Sequence, residues 1–80
     1  MADTVKDRVR GIVREHGRLS GEPADGDDLY RAGMTSHSSV NVMLALENAF
    51  DVEFPDELLT RETFQSVDAI TLALTGLGAS

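Results

Sequence analysis

The sequence predicts an all-α domain, a four-helix bundle with three main helices, one short helix and a long first loop. Apolar residues recur at spacings of three and four in three stretches, which is the period of an amphipathic helix. A short alternating run at residues 51–54 has no partner strand and cannot form a sheet. We expect helices over about residues 4–16, 37–50, 56–59 and 64–75, in a single domain that spans residues 1–80.

The first helix has a start and a stop signal. Thr4, followed three residues later by Asp7, resembles a capping box, and Gly17 is a typical helix stop. The apolar stripe between them consists of Val5, Val9, Ile12 and Val13. Lys6, Arg10 and Arg14 repeat every four residues on another face, which is most simply a solvated face with a possible role in partner binding.

Residues 18–35 show no sustained periodicity and several glycines, so they predict a loop. A loop of this length inside a small domain needs buried anchors, and the candidates are Leu19, Leu29, Tyr30 and Met34. Three aspartates in the loop raise the question of a calcium site. Counted from Asp25, however, Leu29 and Tyr30 fall where an EF-hand needs a ligand and a glycine, so the motif fails. Asp27 or Asp28 is better explained as the cap of a short turn.

The second helix follows a run of hydroxyl side chains, and Ser36 or one of its neighbours can cap it. Its predicted apolar residues are Val40, Met43, Leu44, Leu46 and Phe50, with Asn41, Glu47 and Asn48 toward water. Pro55 suits the first position of the short third helix. The last helix is expected to bury Phe64, Val67, Ile70 and Leu74. The predicted core of a monomer includes Val9, Ile12, Val40, Leu46, Phe50, Phe54, Phe64, Val67 and Ile70.

Composition excludes several classes of function. The formal net charge is −7, and residues 20–80 hold eleven acids against only Arg31 and Arg61, which argues against nucleic-acid binding. No stretch reaches the roughly 20 apolar residues of a membrane span, so a cytoplasmic protein is expected. Cysteine is absent, and any thiol chemistry must come from an added group.

Catalysis by the chain itself is not expected. Ser36 and His37 are adjacent, but a nucleophile and its base must meet at hydrogen-bond distance, and neighbouring residues at a helix start point in different directions. There is no Gly-x-Ser-x-Gly elbow, and two lone histidines make a poor metal site. The sequence therefore predicts a protein that is not an enzyme.

The segment from Leu29 to Ile70 resembles the acyl and peptidyl carrier protein family. The matching pieces are Gly33 and Ser36 at the start of the second helix, Glu47 and Phe50 at its end, and the Phe54-Pro55 pair after it. Ser38 and Ser39 lack the family's separation from Phe50. The resemblance implies an acyl-carrier-protein-like bundle, with 4'-phosphopantetheine attached to Ser36 by a partner phosphopantetheinyl transferase.

Near Ser36 the chain departs from the usual family pattern. Thr35 replaces an aspartate, His37 a leucine or isoleucine, and amides at Asn41 and Asn48 replace acids. The Thr35-Ser36-His37 turn is similar to that of small stand-alone bacterial aminoacyl carrier proteins. That resemblance implies a small amino acid held as a thioester, loaded by an amino acid:carrier protein ligase similar to a class II aminoacyl-tRNA synthetase core. The expected partner contacts are Thr35, His37, Val40, Asn41 and Leu44.

Two other readings stay open at this point. The chain could be a fatty-acyl or polyketide carrier with an altered motif, because one fold hosts many cargoes. It could also be a helical interaction module that carries nothing, in which Ser36 is only a helix cap.

Overall fold

The computed structural model describes residues 4–79 as an all-α fold in which three α-helices and one 3-10 helix surround a common core. Helix α1 spans Val5–His16, α2 spans Ser36–Phe50 and α3 spans Val67–Gly76. The 3-10 helix, Asp56–Leu58, lies between α2 and α3. Helix α1 packs against both α2 and α3. The predicted all-α class is therefore confirmed, with the short helix present as a single 3-10 turn.

Helix α1 begins and ends where the sequence predicts. The Thr4 hydroxyl accepts a hydrogen bond from the Asp7 amide at 3.1 Å, and Val9 and Val13 are fully buried. Gly17 closes the helix by donating its amide to the Val13 carbonyl at 2.8 Å. A Cβ atom at Gly17 would stand 2.6 Å from that carbonyl oxygen, so only glycine fits here.

The long first loop is held by the anchors that the sequence suggests. Leu29 is fully buried and Met34 is 3% exposed, while Leu19 and Tyr30 pack against the edge of the core. The Leu29 amide donates to the Gln65 carbonyl at 2.7 Å, which joins the loop to the segment before α3. Asp28 caps the short turn by accepting from the Tyr30 amide at 3.0 Å.

The basic face of α1, predicted as a solvated face with a possible role in partner binding, is partly exposed, and its cations pair with acids of the loop and of α3. Arg10 donates to both carboxylate oxygens of Asp25 at 2.9–3.1 Å and to Asp7 at 2.9 Å. Lys6 lies 2.8 Å from Asp68, and Arg14 lies 3.0 Å from Glu22. These ion pairs thus join α1 to the long loop, through Asp25 and Glu22, and to α3, through Asp68.

The hydrogen bonds between these basic and acidic side chains shift the pKa values of Arg10, Lys6 and Asp7. The hydrogen bond to Asp25 raises the pKa of Arg10, and the hydrogen bond to Asp68 raises the pKa of Lys6. The hydrogen bond from Arg10 lowers the pKa of Asp7 below its ordinary value of 3.8. Asp7 therefore contributes stability above pH 3.8, which is lost as the pH falls through its lower folded-state pKa.

Arg10→Met should lower the urea midpoint at neutral pH, because it removes the guanidinium shared by Asp7 and Asp25. The difference from the unchanged protein should shrink in high salt, since partly exposed ion pairs are screened. Urea melts at low and at high ionic strength measure both effects. A midpoint that does not move at either ionic strength would show that the network adds nothing to stability.

Helix α3 starts later than the predicted residue 64. The Ser66 hydroxyl accepts from the Ala69 amide at 3.0 Å and sets the helix start at Val67. Phe64 belongs to the preceding turn, in which its amide donates to the Arg61 carbonyl at 3.2 Å. It still reaches the core, where its ring meets the Phe54 ring edge-on at 5.3 Å. Phe64 and Val67 are three residues apart and both buried, as predicted. They lie in a turn and in the helix that follows it, and not in one helix.

The core differs from the predicted one on α2. Leu46 is buried as expected, but the other fully buried apolar residue of this helix is Val42. Val40, which was predicted to lie in the core, is 49% exposed, and Leu44 is 53% exposed. Ile12 and Phe50 are only partly buried at the edge of the core. The Arg8 guanidinium covers the Phe50 ring at 4.3 Å.

Candidate functional site

Ser36 is the first residue of α2 and is exposed. It follows a turn fixed by Gly33, whose φ of +123° is a left-handed conformation that glycine adopts without strain. A Cβ atom at Gly33 would also come within 3.3 Å of the Arg18 carbonyl oxygen. The turn therefore delivers the chain to Ser36 along a defined path.

The hydroxyl groups of Thr35, Ser38 and Ser39 are all engaged in hydrogen bonds at the start of α2. The Thr35 hydroxyl accepts from the Ser38 amide at 3.1 Å, and the Ser38 hydroxyl accepts from the Thr35 amide at 2.8 Å. These two bonds form a reciprocal capping box. Ser39 donates its hydroxyl to the Ser36 carbonyl at 2.8 Å. The cap that the sequence left open between Ser36 and its neighbours is therefore Thr35.

The Ser36 hydroxyl, by contrast, makes no hydrogen bond to any residue in the range 4–79. Neither His37 nor His16 forms a hydrogen bond with it among the described residues. The hypothesis that Ser36 is only a helix cap is not supported, because Thr35 occupies the cap position. What remains is a rigidly presented, exposed and uncommitted hydroxyl.

An apolar groove of about 380 Å³ opens beside Ser36, between α2 and the segment that leads to α3. The residues that line it are Tyr30, Ser36, Ser39, Val40, Met43, Leu59, Thr60, Arg61 and Phe64. The Arg61 guanidinium lies over the Tyr30 ring at 4.1 Å. A group attached to Ser36 would thus begin its course in an apolar groove with one cationic side chain on its wall.

Sequence reasoning missed this groove and the part of Arg61 in it. One signal was present, because Arg61 is one of only two basic residues in the acidic segment 20–80. The reciprocal cap was also readable in principle, since Thr35 and Ser38 have the spacing of a capping box with serine in the third position. Nothing in the sequence indicated that residues 59–64 lie against the start of α2.

The predicted partner residues lie at the surface of the first half of α2. Thr35, His37 and Asn41 are exposed, as are the apolar side chains of Val40 and Leu44. Val40 borders the groove beside Ser36. Asn41 and Leu44 border a second, shallow depression between α2 and α1, with Ile12, His16 and Asn48. The structure thus places Val40 on one of these surfaces, and Asn41 and Leu44 on the other.

The electrostatic setting of Ser36 suits a negatively charged group. The N-terminus of an α-helix carries partial positive charge, and the first turn of α2 holds no acidic residue. Within residues 4–79, no group of three or more His, Cys, Asp or Glu side chains is placed to hold a metal ion. The same residues contain no helix that is both long and apolar enough to span a membrane.

Comparisons with known proteins agree with this geometry. The family model described as the phosphopantetheine attachment site matches residues 7–74. An aminoacyl carrier protein of Agrobacterium fabrum is 48% identical over 65 residues, which cover 78% of each chain. Aminoacyl carrier protein 1 of Bradyrhizobium diazoefficiens is 37% identical over 62 residues, or 78% of this chain and 68% of the relative.

Two solved structures extend the likeness to the fold. One is an engineered Bradyrhizobium japonicum glycine:carrier protein ligase with the carrier protein from Agrobacterium tumefaciens and ATP. A chain in it matches with a TM-score of 0.86 and 41% identity, over 90% of this chain and 97% of that one. The other contains the Bradyrhizobium japonicum ligase with a glycylated carrier protein, with a TM-score of 0.77, 29% identity and coverage of 89% and 99%.

The family model covers most of the chain, and the likeness to carrier proteins holds in both sequence and fold. The chain therefore belongs to the phosphopantetheine attachment site family, and 4'-phosphopantetheine is its cofactor.

Proposed function

We propose that the chain is an aminoacyl carrier, which bears 4'-phosphopantetheine on Ser36 and holds a small amino acid on it. The observation that carries this proposal is the uncommitted hydroxyl of Ser36. Thr35, Ser38 and Ser39 all use their hydroxyls within the first turn of α2, whereas that of Ser36 is exposed and unbonded within the described residues. Among these four hydroxyls, only that of Ser36 could form a new phosphodiester without breaking a hydrogen bond at the start of α2.

The surroundings of Ser36 fit the cofactor. A phosphodiester on its oxygen would lie at the positive end of α2, with no acidic side chain in the first turn to repel it. The adjoining groove offers apolar contacts from Val40, Met43 and Leu59. When bound, the arm supplies the thiol that this cysteine-free chain lacks, and that thiol holds a carboxylic acid as a thioester.

The amino acid cargo is supported by the relatives and by α2 itself. Both relatives named above are aminoacyl carrier proteins, and the solved structures place carrier chains with a glycine:carrier protein ligase. Asn41 and Asn48 replace acidic side chains on α2, so fewer carboxylates are available to basic partner surfaces. This favours a dedicated partner. We therefore assign glycine, or another small amino acid, as the cargo. The partner would be an ATP-dependent ligase similar to a class II aminoacyl-tRNA synthetase core.

The contacts of that ligase would centre on the first half of α2. Val40 and Leu44 expose about half of their apolar surface there, at 49% and 53%. Exposed apolar side chains beside a polar rim are typical of a docking surface. Thr35, His37 and Asn41 would supply the polar contacts next to the arm.

The remaining parts of the proposal follow from the same site. The chain would act as a monomeric carrier without catalysis of its own, as its membership of the carrier family suggests. A phosphopantetheinyl transferase would attach the arm, and the cytoplasm is the compartment where such a transferase and a ligase of synthetase type would meet it. The apolar groove favours a second candidate, a fatty-acyl carrier, because it could also receive an acyl chain.

Two steps of intact-mass measurement test the proposal. Coenzyme A and a broad-specificity phosphopantetheinyl transferase should add one phosphopantetheine to the purified chain. The product, incubated with glycine, ATP and a glycine:carrier protein ligase, should gain one glycyl group that hydroxylamine releases, and the unmodified chain should gain none. Long-chain acyl groups on the protein isolated from its host, with no aminoacyl form, would contradict the amino acid assignment and favour the fatty-acyl carrier.

A further inference from the structure

Arg61 is a cation in the groove beside Ser36 that has no carboxylate partner. Its guanidinium lies over the Tyr30 ring at 4.1 Å. Within residues 4–79 it makes no ion pair and donates no side-chain hydrogen bond. The residues that line the groove include no aspartate or glutamate. The guanidinium is therefore held by a ring while its donors stay available.

Four of the six other lysine and arginine side chains are engaged within the described residues, and the two exceptions, Arg18 and Arg31, do not line the groove. Lys6, Arg10 and Arg14 pair with carboxylates of the loop and of α3, and Arg8 donates to the Ala49 carbonyl at 2.8 Å. Arg31 also makes no ion pair within the described residues, but it borders a different depression that contains Asp27 and Asp28. Arg61 thus combines free donors with a place on the same groove as the Ser36 hydroxyl.

We propose that Arg61 is a positioning residue for the cofactor, and that its guanidinium pairs with the phosphodiester of a 4'-phosphopantetheine on Ser36. This inference rests on the proposed attachment to Ser36. A group on that oxygen begins in the groove, and its phosphodiester brings a negative charge to a groove whose one charged wall residue is cationic. The planar fork of arginine matches phosphate oxygens, and stacking on Tyr30 limits the side-chain freedom lost on pairing.

The pairing would give the flexible arm a preferred direction. With its phosphodiester drawn toward Arg61, the arm would leave Ser36 along the apolar walls formed by Val40, Met43 and Leu59. Arg61→Gln removes the charge and keeps a side chain of similar polarity, while Arg61→Lys keeps the charge but loses the fork. Arg31→Gln is the matched control, because it removes a cation that lies outside the groove.

Nuclear magnetic resonance of the apo and holo forms tests the pairing. Holo protein is first verified by intact mass, and the phosphorus resonance and backbone amide shifts are then compared with those of the apo form. In the unchanged protein, adding the arm should shift the amides of Arg61 and Phe64 as well as those next to Ser36. Arg61→Gln should lose most of the distant shifts and move the phosphorus resonance. Arg61→Lys should lie between the two, and Arg31→Gln should match the unchanged protein.

High salt supplies an independent readout. At about 1 M ionic strength the Debye length falls to roughly 3 Å, so the distant amide shifts of the unchanged protein should weaken toward those of Arg61→Gln. Shifts confined to the neighbours of Ser36 in holo protein, or an Arg61→Gln pattern equal to that of the unchanged protein, would overturn the role of Arg61 and leave the carrier function intact. A chain that gains no arm would overturn both.

Discussion

Ser36→Ala should remain folded and gain no phosphopantetheine when treated with coenzyme A and a broad-specificity transferase. The fold should survive because the Ser36 hydroxyl makes no hydrogen bond to the described residues, while Thr35 and Ser38 keep the helix cap. The loss of modification should be complete, since no other exposed hydroxyl near the turn is uncommitted. Intact mass reports the modification, and a urea melt reports the fold.

Ser39→Ala is the matched control for this experiment. Ser39 lies three residues further along the same helix, and its hydroxyl donates to the Ser36 carbonyl. Its removal should leave the added mass unchanged, because hydroxyls inside the first turn bond to the backbone and are not presented to a transferase. A Ser36→Ala chain that still gains the arm would show that the attachment site lies elsewhere.

The position of Ser36 at the start of α2 could be predicted from the sequence because the signals around it are local. A glycine-containing turn, a run of hydroxyl residues and the apolar period of a helix fall within residues 33–50. Such signals depend on neighbours in the chain, so the start of α2 was predicted to within one residue. Thr4 and Gly17 were predicted correctly for the same reason, since each lies at the helix end that it caps. Of the two aspartates proposed as the cap of the short turn, Asp27 and Asp28, the structure shows Asp28 in that role.

The rotation of α2 about its axis could not be predicted in the same way. Val40 and Leu44 are separated by four residues, and so are Val42 and Leu46, so either pair could form the buried stripe. The structure buries the second pair together with Ser38, whose hydroxyl is fixed by the cap with Thr35. The buried face of α2 thus includes a serine, which a prediction from apolar periodicity does not count.

The groove and its cation depend on contacts between distant parts of the chain. Residues 59–64 come to lie beside α2 because Phe64 packs on Phe54 and because Gln65 accepts a hydrogen bond from the Leu29 amide. None of these pairings leaves a periodic trace in the sequence. Arg61 could therefore be recognised in the sequence as a basic residue in an acidic segment. Its position in the groove beside Ser36 could be seen only in the folded structure.

Leu46→Ala should cost about 2–5 kcal/mol of unfolding free energy, the range for truncating a buried leucine. Leu46 is fully buried on α2, between Val42 and the half-buried end of the helix. Domains of this kind are stable by roughly 5–15 kcal/mol, so the variant should lose a large share of its stability. Urea melts with a lower midpoint and an unchanged slope would show that the variant is less stable, with no change in the compactness of the denatured state.

Leu44→Ala is the matched comparison, because the same residue type stands two positions away on the same helix but is 53% exposed. Its effect on unfolding should stay within about 0.5 kcal/mol, as for most surface positions. Its effect on glycyl loading of the holo protein should be the larger one, since the exposed side chain lies on the surface assigned to the ligase. Leu46→Ala, assayed well below its melting midpoint, should load at a nearly normal rate. Equal losses of stability in the two variants would place Leu44 in the core, and unchanged loading of Leu44→Ala would remove it from the docking surface.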